Sequence, residues 1–562
     1  MLIEAASCGR ALRLAALLLC SALSNAALAA WGAHGMVASE HVLASQAGVE
    51  MLQRGGNAID AAVATSFATG VVNPSSSCIG GGGFMLIYLA RQSRVVALDY
   101  RETAPAAVRR DVFVRDGRVV PALSRRGGLA VAVPGEVAGL ALALQRYGTL
   151  PLADVMAPAI RYARDGFPVG WHLAAEIAAN QDDLRSNPDL ARTFLRADGS
   201  VLQAGDTLKQ PALAATLERI ADQGPATFYH GDIAGDIVRQ VEAAGGVLSA
   251  ADLSNYRVRW RRPLHGSYGD NAIIAMPPPS SGGGVLLQIL GILRDDDLPA
   301  LEHNSPTYIH LLAEAMQHAF ADRALFYGDP DFVRVPLPRL LAGAHAVALR
   351  GRINAATTLD RSAYGSAASV ADHGTSHFSV MDDAGNAVAC TTTINTAFGA
   401  MLVAARTGIL LNDEMDDFSA QPGVPNVYGL IGTEANAVGP GKRPLSSMTP
   451  TIVTRRGKVI LALGGSGGPL IISGAAQVLL NLLAFDLDTT TAVAAPRIHD
   501  QWVPPVLAVE PGIAPLTRAA LARCGYTVKE MPAMGALQVV RRTAGGFEGV
   551  ADPRKGGEAV GW

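Results

Sequence analysis

The feature that most constrains the fold is an uncharged run from Val459 to Phe485. Its length would suit a membrane helix. Gly464, Gly465, Gly467, Gly468 and Pro469 interrupt it in the middle. Glycine and proline break regular structure locally, so one continuous helix is excluded. The pattern instead predicts a strand, a glycine turn and a helix inside a soluble core. The chain can build such a core. Of its 562 residues 49% are hydrophobic and 17% charged, which excludes disorder for lack of apolar content. The length allows roughly three or four domains, or one large fused α/β unit. The net charge of −3, with scattered arginines, shows neither a nucleic-acid footprint nor an acidic tail.

Residues 1–30 read as a secretory signal, which places the protein in the periplasm or outside the cell. Arg10 and Arg13 precede the apolar Leu14–Leu19, and Ala27-Leu28-Ala29 suits signal peptidase. Leu-Leu-Leu-Cys20 lacks the small residues that precede a lipidated cysteine. Export permits disulfides. However, Cys78, Cys390 and Cys524 are widely spaced, and no C-x-x-C pair exists. They read as buried free thiols, with no metal site.

Apolar spacing predicts helices over 39–54, 58–72 and 304–327, and mostly helix over 137–250. Met276–Gly284 reads as a loop feeding a helix from Val285. Strands are expected at 84–90, 94–99, 375–381 and 387–393, with a hairpin at 451–463. Helix-rich early and strand-rich late argues α+β, or a mixed layered α/β sandwich.

Two motifs could carry chemistry. Gly80–Gly83 lacks the Lys-Ser/Thr of a phosphate loop and precedes a strand rather than a helix, so it reads as a tight turn between close backbones. Gly374-Thr375 heads a strand and could cut itself. Thr375 Oγ would attack the Gly374 carbonyl, and water would hydrolyse the resulting ester. The freed α-amino group, with an ordinary pKa of about 8, would then be a base beside its own hydroxyl. By itself such a step is equally an ordinary strand start.

Several ordered segments resemble the gamma-glutamyltranspeptidase family. They are Gly35-Met-Val-Ala-Ser, Gly55–Ala64, Ile79–Met85, Asp99–Pro105, Gly374–Ser379, Asn412–Phe418, Pro425–Tyr428 and Lys442–Met448. The resemblance runs from about residue 34 to the C-terminus. It implies a four-layer αββα sandwich of the N-terminal-nucleophile hydrolase type. It further implies a precursor cut into a large subunit (31–374) and a small one (375–562), interwoven in one domain. Thr375 falls on the nucleophile position, oriented by Thr393. Gly467 and Gly468 would give N–H groups to the oxyanion.

For a γ-glutamyl substrate, Arg101 with Ser446 and Ser447 would hold the α-carboxylate. Asp417, with Glu414 and Asn395, would accept from the α-ammonium. Tyr428 falls on a lid loop. His377 is expected to be structural, because the new amine already serves as base. Ser376 replaces a threonine common in the family, with little expected effect. The implied activity is γ-glutamyl transfer to water or to amino acids and peptides, with no cofactor, metal or nucleic-acid partner. The alternatives are a glutaryl-type cephalosporin acylase of the same fold and an uncleaved amino-acid-binding protein.

Overall fold

The computed structural model describes residues 29–360 and 374–562. The expected signal, apart from Ala29 and Ala30, lies outside the described residues. Two seven-stranded antiparallel sheets dominate. The strands used below, in chain order, are β1 (Ala29–Gly32), β2 (Gly35–Ser39), β3 (Gly82–Leu89), β4 (Arg94–Tyr100), β5 (Arg259–Arg261), β6 (Leu264–Tyr268) and β7 (Asn271–Ala275). They continue with β8 (Ser376–Asp382), β9 (Ala387–Thr393), β10 (Thr451–Arg455), β11 (Lys458–Ser466), β12 (Ala536–Thr543), β13 (Gly546–Ala551) and β14 (Glu558–Gly561). One sheet runs β1-β13-β12-β11-β10-β7-β6, the other β14-β2-β8-β9-β3-β4-β5. Each sheet thus combines strands from before residue 374 with strands from after it.

Period-2 alternation assigns each strand two apolar faces. In β3, Phe84, Leu86 and Tyr88 join the layer between the sheets. Met85, Ile87 and Leu89 pack into a helical layer on the outer face. That outer layer includes α1 (Val42–Gln53), α2 (Ala58–Val72), α3 (Glu136–Tyr147) and α4 (Leu152–Asp165). The other sheet is covered by α5 (Gly282–Ile292), α6 (Pro306–Phe326) and α7 (Leu470–Leu483). The order is helix, sheet, sheet, helix, as the resemblance implies. Helix α2 is buried along its whole length. Its small residues allow that, and a capping box of Asn57 and Asp60 satisfies its first turn.

The uncharged run divides as expected into β11, a glycine turn and α7. No helix among the described residues is long and apolar enough to cross a membrane. Several details differ from expectation, among them the start of α1, at Val42 rather than Ser39, which ends β2. Helix α5 begins at Gly282 rather than Val285, because its first turn packs too tightly for side chains. A Cβ on Gly283 would meet the Met276 carbonyl at 2.2 Å, and one on Gly284 the Tyr327 hydroxyl at 2.1 Å. Cys524 is only partly buried, whereas Cys78 and Cys390 are fully inside.

The tetraglycine is indeed a close-approach element. A Cβ on Gly81 would lie 2.0 Å from the Thr393 carbonyl, and one on Gly83 2.3 Å from that of Thr391. These glycines let the end of β9 settle against the start of β3. Gly81→Ala should therefore destabilise the protein by about 1–3 kcal/mol and displace Thr393. Urea unfolding alongside an activity assay checks this, with activity falling at temperatures where the variant is still folded.

Candidate active site

Thr375 stands just before β8, and Thr393 ends the neighbouring β9. Alternation points Thr375, His377, Thr391 and Thr393 toward the other sheet, and Ser376 and Thr392 toward the helices. The Thr375 and Thr393 hydroxyl oxygens lie 3.2 Å apart. Thr393 Oγ1 already accepts from the Asn395 N–H at 2.8 Å. Its own proton is therefore free to reach Thr375 Oγ1. The Thr375 hydroxyl donates to the Gly374 carbonyl. Gly374 has φ +54°, and a Cβ there would meet the Asn395 carbonyl at 2.5 Å. Only glycine fits that step.

Arg101 follows the end of β4 and is 1% exposed. Its guanidinium binds the Glu414 carboxylate, Asp417 Oδ2 at 2.5 Å and the Pro444 carbonyl at 3.2 Å. Burial works against its charge, but Glu414, Asp417 and Glu102 outweigh that and raise its pKa. Burial in turn pushes Glu102 up to about 8 and Glu414 well above the carboxylate range. The Glu102 carboxyl oxygens have no hydrogen-bond partner among the described residues.

Tyr428 closes this corner. Its hydroxyl donates to the Asn395 carbonyl at 2.8 Å. Its ring covers Gly468, where a Cβ would meet it at 2.6 Å. Gly467 and Gly468 have φ +122° and +56°, so the turn after β11 depends on glycine. Arg101, Thr375, Thr393, Asn395, Glu414, Asp417, Tyr428, Ser446, Ser447 and Gly468 surround one cavity of about 20 Å³. Of the expected site residues, only Gly374 and Gly467 lie elsewhere, in an adjoining cleft of about 130 Å³ with Ser466 and Lys555. The first cavity has room for about one water.

His377 is structural, as expected. Its ring nitrogens lie 2.8 Å from Thr391 Oγ1 and 3.2 Å from Ser379 Oγ. Ser376 Oγ accepts from Asn73 Nδ2 at 3.0 Å on the helix side. Sequence reasoning missed two cations. Arg323, on α6, donates to Ser281 Oγ at 2.9 Å and to Ser447 Oγ at 3.4 Å, and burial lowers it to about 10. Lys555 Nζ donates to the Thr375 carbonyl at 2.6 Å. Neither carries a local signal: one sits in a helical pattern, the other in a polar turn. Among the described residues no cluster of His, Cys, Asp and Glu is arranged to hold a metal.

The family described as Gamma-glutamyltranspeptidase matches residues 44–562. The chain belongs to the gamma-glutamyltranspeptidase family. It is 44% identical over 524 residues to the glutathione hydrolase proenzyme of Escherichia coli (strain K12), covering 92% of this chain and 90% of that protein. Among solved structures, a cephalosporin acylase from Bacillus halodurans matches with TM-score 0.84 at 28% identity, over 95% of this chain and 97% of that one. The gamma-glutamyltranspeptidase of Helicobacter pylori matches with TM-score 0.56 at 41% identity, over 57% of this chain and 91% of that one. The gamma-glutamyltranspeptidase assignment and the acylase likeness both place the layered sandwich among N-terminal-nucleophile hydrolases.

The neutral state of His377 can be tested. Burial holds its pKa down to about 3 against an ordinary 6.5. Between those values the unfolded chain binds a proton that the folded chain does not. The resulting stability is fully present above pH 6.5 and is lost as pH falls through the window. His377→Gln should flatten the stability slope between pH 4.5 and 6 by one proton, about 1.4 kcal/mol per pH unit. Urea midpoints across that range give the slope, and equal slopes would contradict a neutral buried ring.

Proposed function

We propose that this protein is an exported glutathione hydrolase and γ-glutamyl transferase whose nucleophile is Thr375, freed by cleavage after Gly374. One observation carries the reading: the Thr375 hydroxyl reaches both Thr393 and the Gly374 carbonyl beside a buried charge pair. In maturation, Thr375 Oγ attacks the Gly374 carbonyl carbon, the C–N bond breaks, and the nitrogen takes up the proton. Water then hydrolyses the ester. Gly374 leaves as a carboxylate, and Thr375 keeps a free amine. Left-handed Gly374 favours this step because its carbonyl is uncrowded.

In turnover the amine takes the Thr375 hydroxyl proton as Oγ attacks the γ-carbonyl of the donor. The oxyanion collects the Gly467 and Gly468 N–H groups. The amine returns the proton to the leaving nitrogen, and a γ-glutamyl ester remains. Water or an acceptor amine resolves it in the same way. The donor's α-carboxylate replaces Asp417 and Glu414 at Arg101, with hydroxyl donors from Ser446 and Ser447. Its α-ammonium replaces Arg101 at Asp417 and Glu414, with Asn395 as a further acceptor. A zwitterion thus replaces the contacts of Arg101 with Glu414 and Asp417 by an ion pair at each of its own ends and leaves neither charge unanswered. A cavity for about one water must widen to admit it, and Tyr428 is the side chain to move. No step calls for a metal or organic cofactor.

The likeness to a cephalosporin acylase supports a second reading, an acylase of glutaryl chains. A glutaryl group has no ammonium and would leave Asp417 buried and unanswered, which favours glutamyl donors. The uncleaved binding protein is a third reading. It would run as one band on a denaturing gel, where the enzyme gives two.

Thr375→Ala should abolish both cleavage and turnover, leaving one band, and two bands from that variant would overturn the maturation step. Asp417→Ala should lower kcat/KM for glutathione by about 10²-fold or more, as loss of a buried ionic contact costs about 3–5 kcal/mol. It should affect a glutaryl amide far less. Equal losses on both substrates would count against the ammonium anchor. N-terminal sequencing of the exported protein locates the signal cleavage.

A further inference from the structure

Lys555 lies in the turn between β13 and β14, which belong to different sheets. The turn is held firmly. Asp552 is buried and pairs with Arg497 at 2.6 Å and with Arg554 at 3.1 Å. Arg554 also pairs with Glu510 at 2.6 Å. From this base the Lys555 ammonium spends its donors on both sheets. It reaches the Thr375 carbonyl at 2.6 Å, Ser466 Oγ at the end of β11 at 3.1 Å, and Glu40 after β2 at 3.1 Å.

The Thr375 carbonyl lies ahead of the paired part of β8, whose first partner is Ser376 with Thr392. No strand partner holds it there, and Lys555 does so instead. The same ammonium grips the residue before the glycine turn. One side chain therefore fixes the distance between the residue that attacks and the turn that receives the oxyanion.

Its charge has a second effect. Within a residue the amide nitrogen and carbonyl oxygen are about 3–4 Å apart at most. The Lys555 ammonium therefore lies within about 6 Å of the Thr375 nitrogen, close enough for like charges to oppose each other.

We propose that Lys555 is a positioning residue for the nucleophile: its ammonium clamps the Thr375 carbonyl to the oxyanion turn and keeps the freed α-amine neutral. This rests on the reading of Thr375 as a new N-terminus.

The other charged groups facing the pair do not reverse the effect. Glu40 is already engaged, accepting from both Lys555 and the His377 N–H. His172, in the same cleft, is held down to about 3 by burial and by Lys555, so it is neutral. Glu176 lines the cleft too, and Arg554 is spent on its own carboxylates. Glu136, bound to Thr392 behind the strand, is pushed up to about 7 by burial. Arg101 and Asp417 face the site across the cavity as a near-neutral pair.

The test uses the whole exported, matured protein with a γ-glutamyl anilide over pH 5–9. The acid limb of kcat/KM reports the amine in the free enzyme. Removing the cation, and leaving Glu40 unpaired, both raise the amine pKa. Lys555→Met should move the acid limb up by about 0.5–1 pH unit. It should also lower kcat at pH 7 at least fivefold, with the donor KM changed less than twofold. Lys555→Arg should restore the wild-type limb.

A Lys555→Met limb that superimposes on wild type, or moves down, overturns the proposal. Should the variant fail to mature, the wild-type amine is titrated directly through the pH dependence of its carbamylation by cyanate. A midpoint below the ordinary 7.7–8.0 or so is expected, and one at or above it overturns the proposal. N-terminal sequencing of the wild-type small fragment comes first. If it does not begin at Thr375, the functional reading has failed rather than this one.

Discussion

The site depends on how closely the two sheets approach each other. Beside the site, the His377 ring of β8 lies on Gly464 of β11, where a Cβ would come within 2.3 Å. His377 sits two residues after Thr375, and Gly464 three before Gly467. That contact therefore sets how far the Thr375 hydroxyl stands from the glycine turn after β11. A buried neutral imidazole serves well as this spacer. It is flat, and both nitrogens are satisfied by hydroxyls of its own sheet, so it needs nothing from the other. Lys555 fixes the same gap from the rim.

A second constraint is the cost of burying charge. Arg101, Glu102, Glu414 and Asp417 are all nearly inaccessible. Replacing such a cluster with apolar side chains is often neutral or stabilising. Its presence is therefore better explained by a ligand than by stability. A zwitterion suits it because each ligand charge meets a fixed opposite one. Burial raises the pKa of Glu102 and of Glu414, while the Arg101 guanidinium works the other way on both.

Much of this was legible in the sequence. Helix α2 and strand β9 have the bounds that apolar spacing predicts, because hydrogen bonding and periodicity act over a few residues. The glycine turn after β11 was visible for the same reason. The family resemblance named the cavity residues, and ten of them do converge. The start of α5 was misplaced because glycines that look like a loop are helical once neighbouring backbones press on them. Arg323 and Lys555 were missed because a basic residue in a helix or turn is ordinarily a solvated one.

By itself, then, the sequence determined most of the elements, which follow from local propensity, and its ordered motifs carried the resemblance that implied the Gly374-Thr375 step and the residue types for glutamyl chemistry. Only the tertiary structure decided that Arg101 meets Glu414 and Asp417, more than three hundred positions away, and that Lys555 grips the Thr375 carbonyl. Whether a charge is buried, and against what, depends on which distant segments pack together. No rule spanning a few residues contains that information.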